Sequence, residues 1–322
     1  MQKTIALTVA AFALFLAAPL FAYDAEGFFV TGDIQMLGPT NIDHSIGVIE
    51  DESGSADTYN KWQLDYGSDL SFRLGGGYSW AEKGRLSLTY WDYSDDEVER
   101  RYLDSSQYLD DSFFGTYVNS GYYLQGASEI DATSIEIAFE KDRDFDNPWT
   151  LTWKVGLRYV DFEETVRLDW LDDLGSPYEW GYDLRTIDAS GIGPTVGIGG
   201  AHHFAERWSV VGNASLSYVF GDSETKGTEY NEWCCWGDDT DNISHTDDSA
   251  AGLITDLNAG VNVNVWGGLD LALLYTFSSW EDLVTNRLGN GDDIDDEMSF
   301  PIRDNVTFHG LNLRFRWLFG RE

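Results

Sequence analysis

Along most of this chain apolar and polar residues alternate one by one. The pattern is plainest near the C-terminus, over 305–319. There Leu311, Leu313, Phe315, Trp317 and Phe319 fall on one parity, and Asn312, Arg314 and Arg316 on the other. Successive strand side chains point to opposite faces, so this segment predicts a strand with an apolar, aromatic face and a polar, cationic one. About ten segments share the habit. They lie near 27–37, 68–80, from 85 onward, 128–141, from 149 onward, up to 204, 208–221, around 257–265, around 270–278 and over 305–319. Merging or splitting segments around the first two long connections would make about eight or twelve.

The connections sort by length. Those after even-numbered segments are short: Ala81-Glu82-Lys83-Gly84, 142–148, Ala205-Glu206-Arg207 and Gly267-Gly268. Those after odd-numbered segments are long, polar and acidic, over about 38–66, 94–126, 222–250 and 281–304, with another between the fifth and sixth. A soluble sandwich has no reason to sort its loops by parity, whereas a barrel crossing an outer membrane has short periplasmic turns and long outer loops. The expected fold is therefore all-β: a single transmembrane, antiparallel, up-and-down β-barrel. The fifth and sixth segments are longer than a bilayer needs, so that hairpin is expected to stand above the membrane. Trp80, Trp149, Tyr159, Trp208, Trp266, Trp280 and Trp317 fall near segment ends and are expected to form interfacial girdles.

Composition agrees and adds the compartment. The sequence holds 13 Trp, 17 Tyr, 18 Phe and 33 Gly against 6 Pro, which suits strands better than helices. Lys3, the apolar run 5–16 and Ala22 form an export signal over 1–22, with Ala18 as a second cleavage point, leaving 23–322 as the barrel domain. No later apolar run is long enough for a transmembrane helix. The formal charge is −36, and removal of Lys3 with the leader makes it −37, which disfavours nucleic acid as a partner.

The inward parity carries Arg73, Arg85, Lys154, Arg158, Arg185, Arg314 and Arg316, facing Asp33, Glu136, Glu140 and Asp270. These cations would favour anions at a constriction, or brace the wall as ion pairs; the two roles are compatible. Glu136 and Glu140 lie across a hairpin from Lys154, and Asp33 and Asp270 belong to the strands flanking Arg314 and Arg316. Gly191, Gly193, Gly197 and Gly199 share the same face, leaving room for a neighbouring side chain or relieving curvature. No catalytic group and no cofactor are expected. His202 and His203 sit at the turn end, and His245, beside Ser244, Asp247 and Asp248, needs nothing more than an acidic loop to explain it.

Cys234 and Cys235 are adjacent, so they cannot staple distant parts of a fold. A vicinal disulfide, intermolecular bridges and a soft metal site all remain open. Asp292, Asp293, Asp295 and Asp296 are hard oxygen donors of the kind calcium takes, but not at EF-hand spacing. Solvated loops, or loops bridged to lipopolysaccharide by divalent cations, explain them more simply. Outer-membrane lipid and lipopolysaccharide are the expected partners, together with a homo-oligomer.

Two longer motifs, Trp153-Lys154-Val155-Gly156-Leu157-Arg158-Tyr159 and Gly191-Ile192-Gly193-Pro194-Thr195-Val196-Gly197, resemble the Legionella-type major outer membrane protein family. Gly27-Phe28-Phe29-Val30-Thr31-Gly32-Asp33 and Phe72-Arg73-Leu74-Gly75-Gly76-Gly77-Tyr78 are similar to that family's opening strands. The resemblance implies a pore-forming outer-membrane barrel, and it makes Cys234 and Cys235 candidates for surface cross-linking. It brings no catalytic residues. The expected function is porin-like diffusion of small solutes or ions through a charged lumen. The alternative is a non-conducting structural or surface-recognition barrel acting through its acidic loops.

Overall fold

The computed structural model describes residues 26–40, 45–52, 58–80, 84–112, 118–145, 148–172, 180–233, 237–266, 268–283 and 305–319. Thirteen strands appear among them. Ten close into one antiparallel barrel: β1 (Gly27–Thr40), β4 (Asp69–Trp80), β5 (Gly84–Tyr102), β7 (Tyr122–Phe145), β8 (Trp149–Asp172), β9 (Trp180–His203), β10 (Trp208–Trp233), β11 (Gly237–Trp266), β12 (Leu269–Glu281) and β13 (Asn305–Leu318). The closing strand β13 pairs with β12 on one side and β1 on the other, and β1 pairs in turn with β4. The other three, β2 (Ser45–Asp51), β3 (Thr58–Gln63) and β6 (Gln107–Ser112), form a small sheet in the order β3-β2-β6 from the first two long connections.

The sequence-derived faces hold through the membrane zone. On β8, Trp149, Trp153, Val155, Leu157 and Tyr159 are exposed on the outside of the barrel, while Lys154 and Arg158 face in. From Trp149 to Tyr159 is about 34 Å of strand, or roughly 25 Å of height at the usual tilt, matching the apolar band of such barrels. Above Tyr159 the pattern reverses. Val160, Phe162, Val166 and Leu168 are buried facing in, while Asp161 and Glu163 face out. The strand has left the lipid: water now lies outside, and a side-chain core lies inside. Asp131 and Asp188 stand beside Glu163, and burial, followed by these neighbouring carboxylates, holds its carboxyl above the usual range.

This reversal explains where the expected loops differ from the fold. Much of 94–126 and of 222–250 is strand, because β5 runs on to Tyr102, β7 starts at Tyr122, β10 reaches Trp233 and β11 begins at Gly237. Their alternation continues with polar residues outward, which reads as a loop to an eye set for lipid-facing strands. The three-stranded sheet sits at this outer end. Its Ile46, Ile49, Trp62 and Leu109 bury against the inward faces of Leu124, Val166, Leu168 and Trp170. Trp62 Nε1 donates to Glu99 Oε2 at 2.9 Å, fixing the sheet to β5.

The glycine stripe of β9 serves close approach. A Cβ at Gly193 would lie 1.8 Å from the Tyr218 backbone oxygen, and one at Gly197 would lie 3.1 Å from Lys154 Cε. The second position leaves room for a cationic stem. The first lets two backbones touch. Gly193→Val is therefore expected to abolish barrel closure, read as loss of the heat-modifiable shift on gel electrophoresis. Normal migration of that variant would disprove the close approach.

Candidate functional site: a charged chamber beneath an aromatic layer

The lumen has two zones. Nearer the short connections is a cavity of about 470 Å³, lined by Asp33, Arg73, Arg85, Glu136, Glu140, Asp142, Lys154, Arg158, Asp256, Asp270, Arg314 and Arg316. Strand register assembles it. Asp33 on β1 stands opposite Arg73 on β4 and Arg314 on β13, so one carboxylate faces two guanidiniums. Arg314 takes it as a fork, with Nε donating to Oδ1 and Nη2 to Oδ2, each at 2.9 Å. Asn312 Nδ2 adds a third donor at 3.1 Å. Lys154 donates to both oxygens of Glu136, at 2.9 and 3.0 Å. Arg85 holds Glu140 through Nε at 2.8 Å and Asp142 through Nη1 at 2.9 Å.

One pair crosses the barrel. Arg158 Nη1 on β8 donates to Asp256 Oδ2 on β11, past two intervening strands, and both groups are buried. Ser215 and Ser278 donate to the same carboxylate, and Ser134 accepts from Arg158 Nε at 2.8 Å. Charges at this depth are stable only when paired and hydrogen-bonded, and this network satisfies both conditions.

Above the chamber the lumen is filled by an apolar layer. Nine of the ten barrel strands contribute to it, among them β5 with Trp91 and Tyr93, β8 with Phe162, β12 with Trp280 and β13 with Phe308. The rings meet across the lumen. Trp280 lies 5.8 Å from Trp91, 5.8 Å from Phe308 and 6.4 Å from Phe162, and Tyr93 lies 4.9 Å from Phe308, centroid to centroid. The two zones are joined: the Arg158 guanidinium sits 5.9 Å from the Trp280 ring, and Trp91 Nε1 donates to Gln35 at 2.8 Å. The level of Val160 and Phe162 puts this layer at the outer edge of the lipid band.

Of the sequence-predicted cations, Arg73, Lys154, Arg158, Arg314 and Arg316 share the chamber. So do all four predicted counter-charges: Asp33, Glu136, Glu140 and Asp270. Arg185 does not. It lies two residues beyond Ile187 of the apolar layer and reaches Glu164 at 3.5 Å in the outer part of the barrel. Glu140 pairs with Arg85, not with Lys154. Trp280, expected in the girdle, is 1% exposed inside the barrel, because its strand has already passed the level at which the apolar parity reverses. Asp142 and Asp256 were missed because each sits just beyond a segment drawn one or two residues short; strand parity at Asn258 and Gly260 already pointed Asp256 inward. Cys234, Cys235, Asp292, Asp293, Asp295, Asp296 and the leader 1–22 lie outside the described residues.

A closed antiparallel barrel with an outward apolar band and an inward charged face is an integral outer-membrane barrel. The family described as Legionella pneumophila major outer membrane protein precursor matches residues 21–283, and the chain belongs to it. The protein is thus a Gram-negative outer-membrane protein. Solved structures similar to it include the outer membrane protease OmpT from Escherichia coli, at 10% identity over 93% of this chain and 99% of that one, with a TM-score of 0.45. The Pseudomonas putida toluene transporter TodX is similar at 10% identity over 96% and 93%, with a TM-score of 0.30. A Pseudomonas aeruginosa FadL homologue is similar at 9% identity over 92% and 91%, with a TM-score of 0.23. These likenesses lend the chain no activity. No curated protein matches it.

Proposed function

We propose that this barrel is a porin-type passive channel for small ions and solutes, closed at rest by its aromatic layer. The observation that carries the reading is the stacking of the two lumen zones: a charged chamber reaching from the turn end to an apolar constriction. An apolar constriction of this kind blocks ions by excluding water, and it conducts when it widens or is displaced. A ten-stranded barrel is only slightly larger than one whose interior side chains just fill, so a constriction formed by a few rings suffices. The chamber arginines then set which ion reaches the constriction. We assign the protein no catalytic role; its membership in a family of major outer membrane proteins supports this.

The test is single-channel recording of the refolded protein in a planar bilayer under a salt gradient. Rare, small steps with anion preference are expected. Large, continuously open steps would contradict closure at rest. Complete silence from a correctly folded barrel would remove the channel reading and leave a structural one.

A further inference from the structure

The hydrogen-bond inventory of the chamber is uneven. Every carboxylate in it has a donor: Asp33 from Arg314 and Asn312, Glu136 from Lys154, Glu140 and Asp142 from Arg85, Asp256 from Arg158, and Asp270 from Asn264 at 2.9 Å. Not every cation has an acceptor. Arg73 comes no nearer than 4.0 Å to Asp33, beyond hydrogen-bond reach, and its fork has no other acceptor among the described residues. Arg316 lies over the Phe29 ring at 5.1 Å with its buried Nε unpartnered.

The surroundings single out the deeper of the two. Arg73 lies within electrostatic reach of Arg158, Arg314, Asp33 and Asp256. Both carboxylates are already engaged, Asp33 by Arg314 and Asp256 by Arg158, so Arg73 is left as a third guanidinium without a carboxylate of its own. Nearer the mouth, Arg316 stands opposite Asp270 in the strand register, so its charge is locally balanced. Arg73 also stands opposite Trp91, at the floor that the aromatic layer makes for the cavity.

We propose that Arg73 is the centre of a binding site for a small monovalent carboxylate that enters the chamber from the periplasmic end. A carboxylate supplies two acceptor oxygens in the plane that a guanidinium fork matches, and its single charge matches that of the one disengaged guanidinium. The site rests on the charged chamber described above and does not require ions to pass the aromatic layer.

Calorimetric titration of the full mature protein in detergent micelles with formate and acetate, at constant ionic strength, tests the assignment. Saturable binding of one anion per barrel is expected. Arg73→Gln should weaken it by at least about tenfold, and Arg73→Lys should keep anion binding while losing the preference for carboxylate over chloride. Arg73→Lys also serves if Arg73→Gln does not fold. No saturable binding to the wild-type barrel, tighter binding of hydrogen phosphate than of acetate, or an unchanged affinity in folded Arg73→Gln would each overturn the proposal. Binding by a barrel silent in bilayers would leave this site standing without the channel, and conduction without binding would do the reverse.

Discussion

Trp280→Ala combined with Phe308→Ala is expected to convert the resting barrel into an open one, raising ion flux into reconstituted vesicles by roughly tenfold or more. Trp280 and Phe308 touch each other and both touch Trp91, and Trp280 alone reaches Phe162 on the far wall. Removing two rings from the same contact set takes out the centre of the layer, leaving Trp91, Tyr93 and Phe162 with the aliphatic residues on the wall. In a soluble core, a truncation of this size costs about 3–5 kcal/mol per ring and leaves a dry cavity. Here the new space joins a chamber already lined with charged groups, so water enters it instead. The wall itself is held by backbone ladders that do not pass through these rings. The double variant should therefore fold, with a lowered unfolding temperature. If it folds and its flux equals wild type, the layer is not the barrier.

The second large effect is on stability. Arg158→Ala is expected to cost about 3–5 kcal/mol, because it removes the guanidinium hydrogen-bonded to the buried Asp256 and leaves that carboxylate only the more distant charges of Arg73 and Lys154. Ser215 and Ser278 still donate to Asp256, but hydroxyls do not supply the missing positive charge. Replacing both partners, Arg158→Met with Asp256→Leu, should recover most of the loss, since an apolar pair of similar volume removes the desolvation penalty together with the attraction. Arg314→Ala gives a useful contrast. Asp33 keeps Asn312 and gains access to Arg73, so the cost there should be smaller. Heat-modifiable migration across a temperature series reads all three. A mild Arg158→Ala variant would mean that the cross-lumen pair is solvated and does not brace the barrel.

The two lumen zones differ in how far the sequence alone exposes them. Some lumen charges on neighbouring strands could be paired by counting: Asp33 with Arg314 follows from β1 closing on β13, whereas the β7–β8 register sets Lys154 opposite Glu140 and its ion pair goes to Glu136 instead. Arg158 and Asp256 could not. They are 98 residues apart on strands that never pair, and they meet only because a closed wall curves them across the lumen. The outer sheet is hidden for a related reason. Its three short strands come from two separate connections, and each depends on burial against β7 and β8 rather than on its own alternation.

Local alternation determined the strand period and the lipid-facing parity, each a property of a few consecutive residues in contact with one solvent, and the sorting of short and long connections along the chain determined the barrel class and the short-turn end. Which solvent each stretch meets was decided by the tertiary structure. At Tyr159 and Val160 the same period continues while the apolar parity changes sides, since the wall emerges from lipid into water. Only the closed barrel brings Trp91, Phe162, Trp280 and Phe308 from four strands to one level. The aromatic closure and the unmatched Arg73 beneath it therefore exist in the assembled fold and in no single segment of the chain.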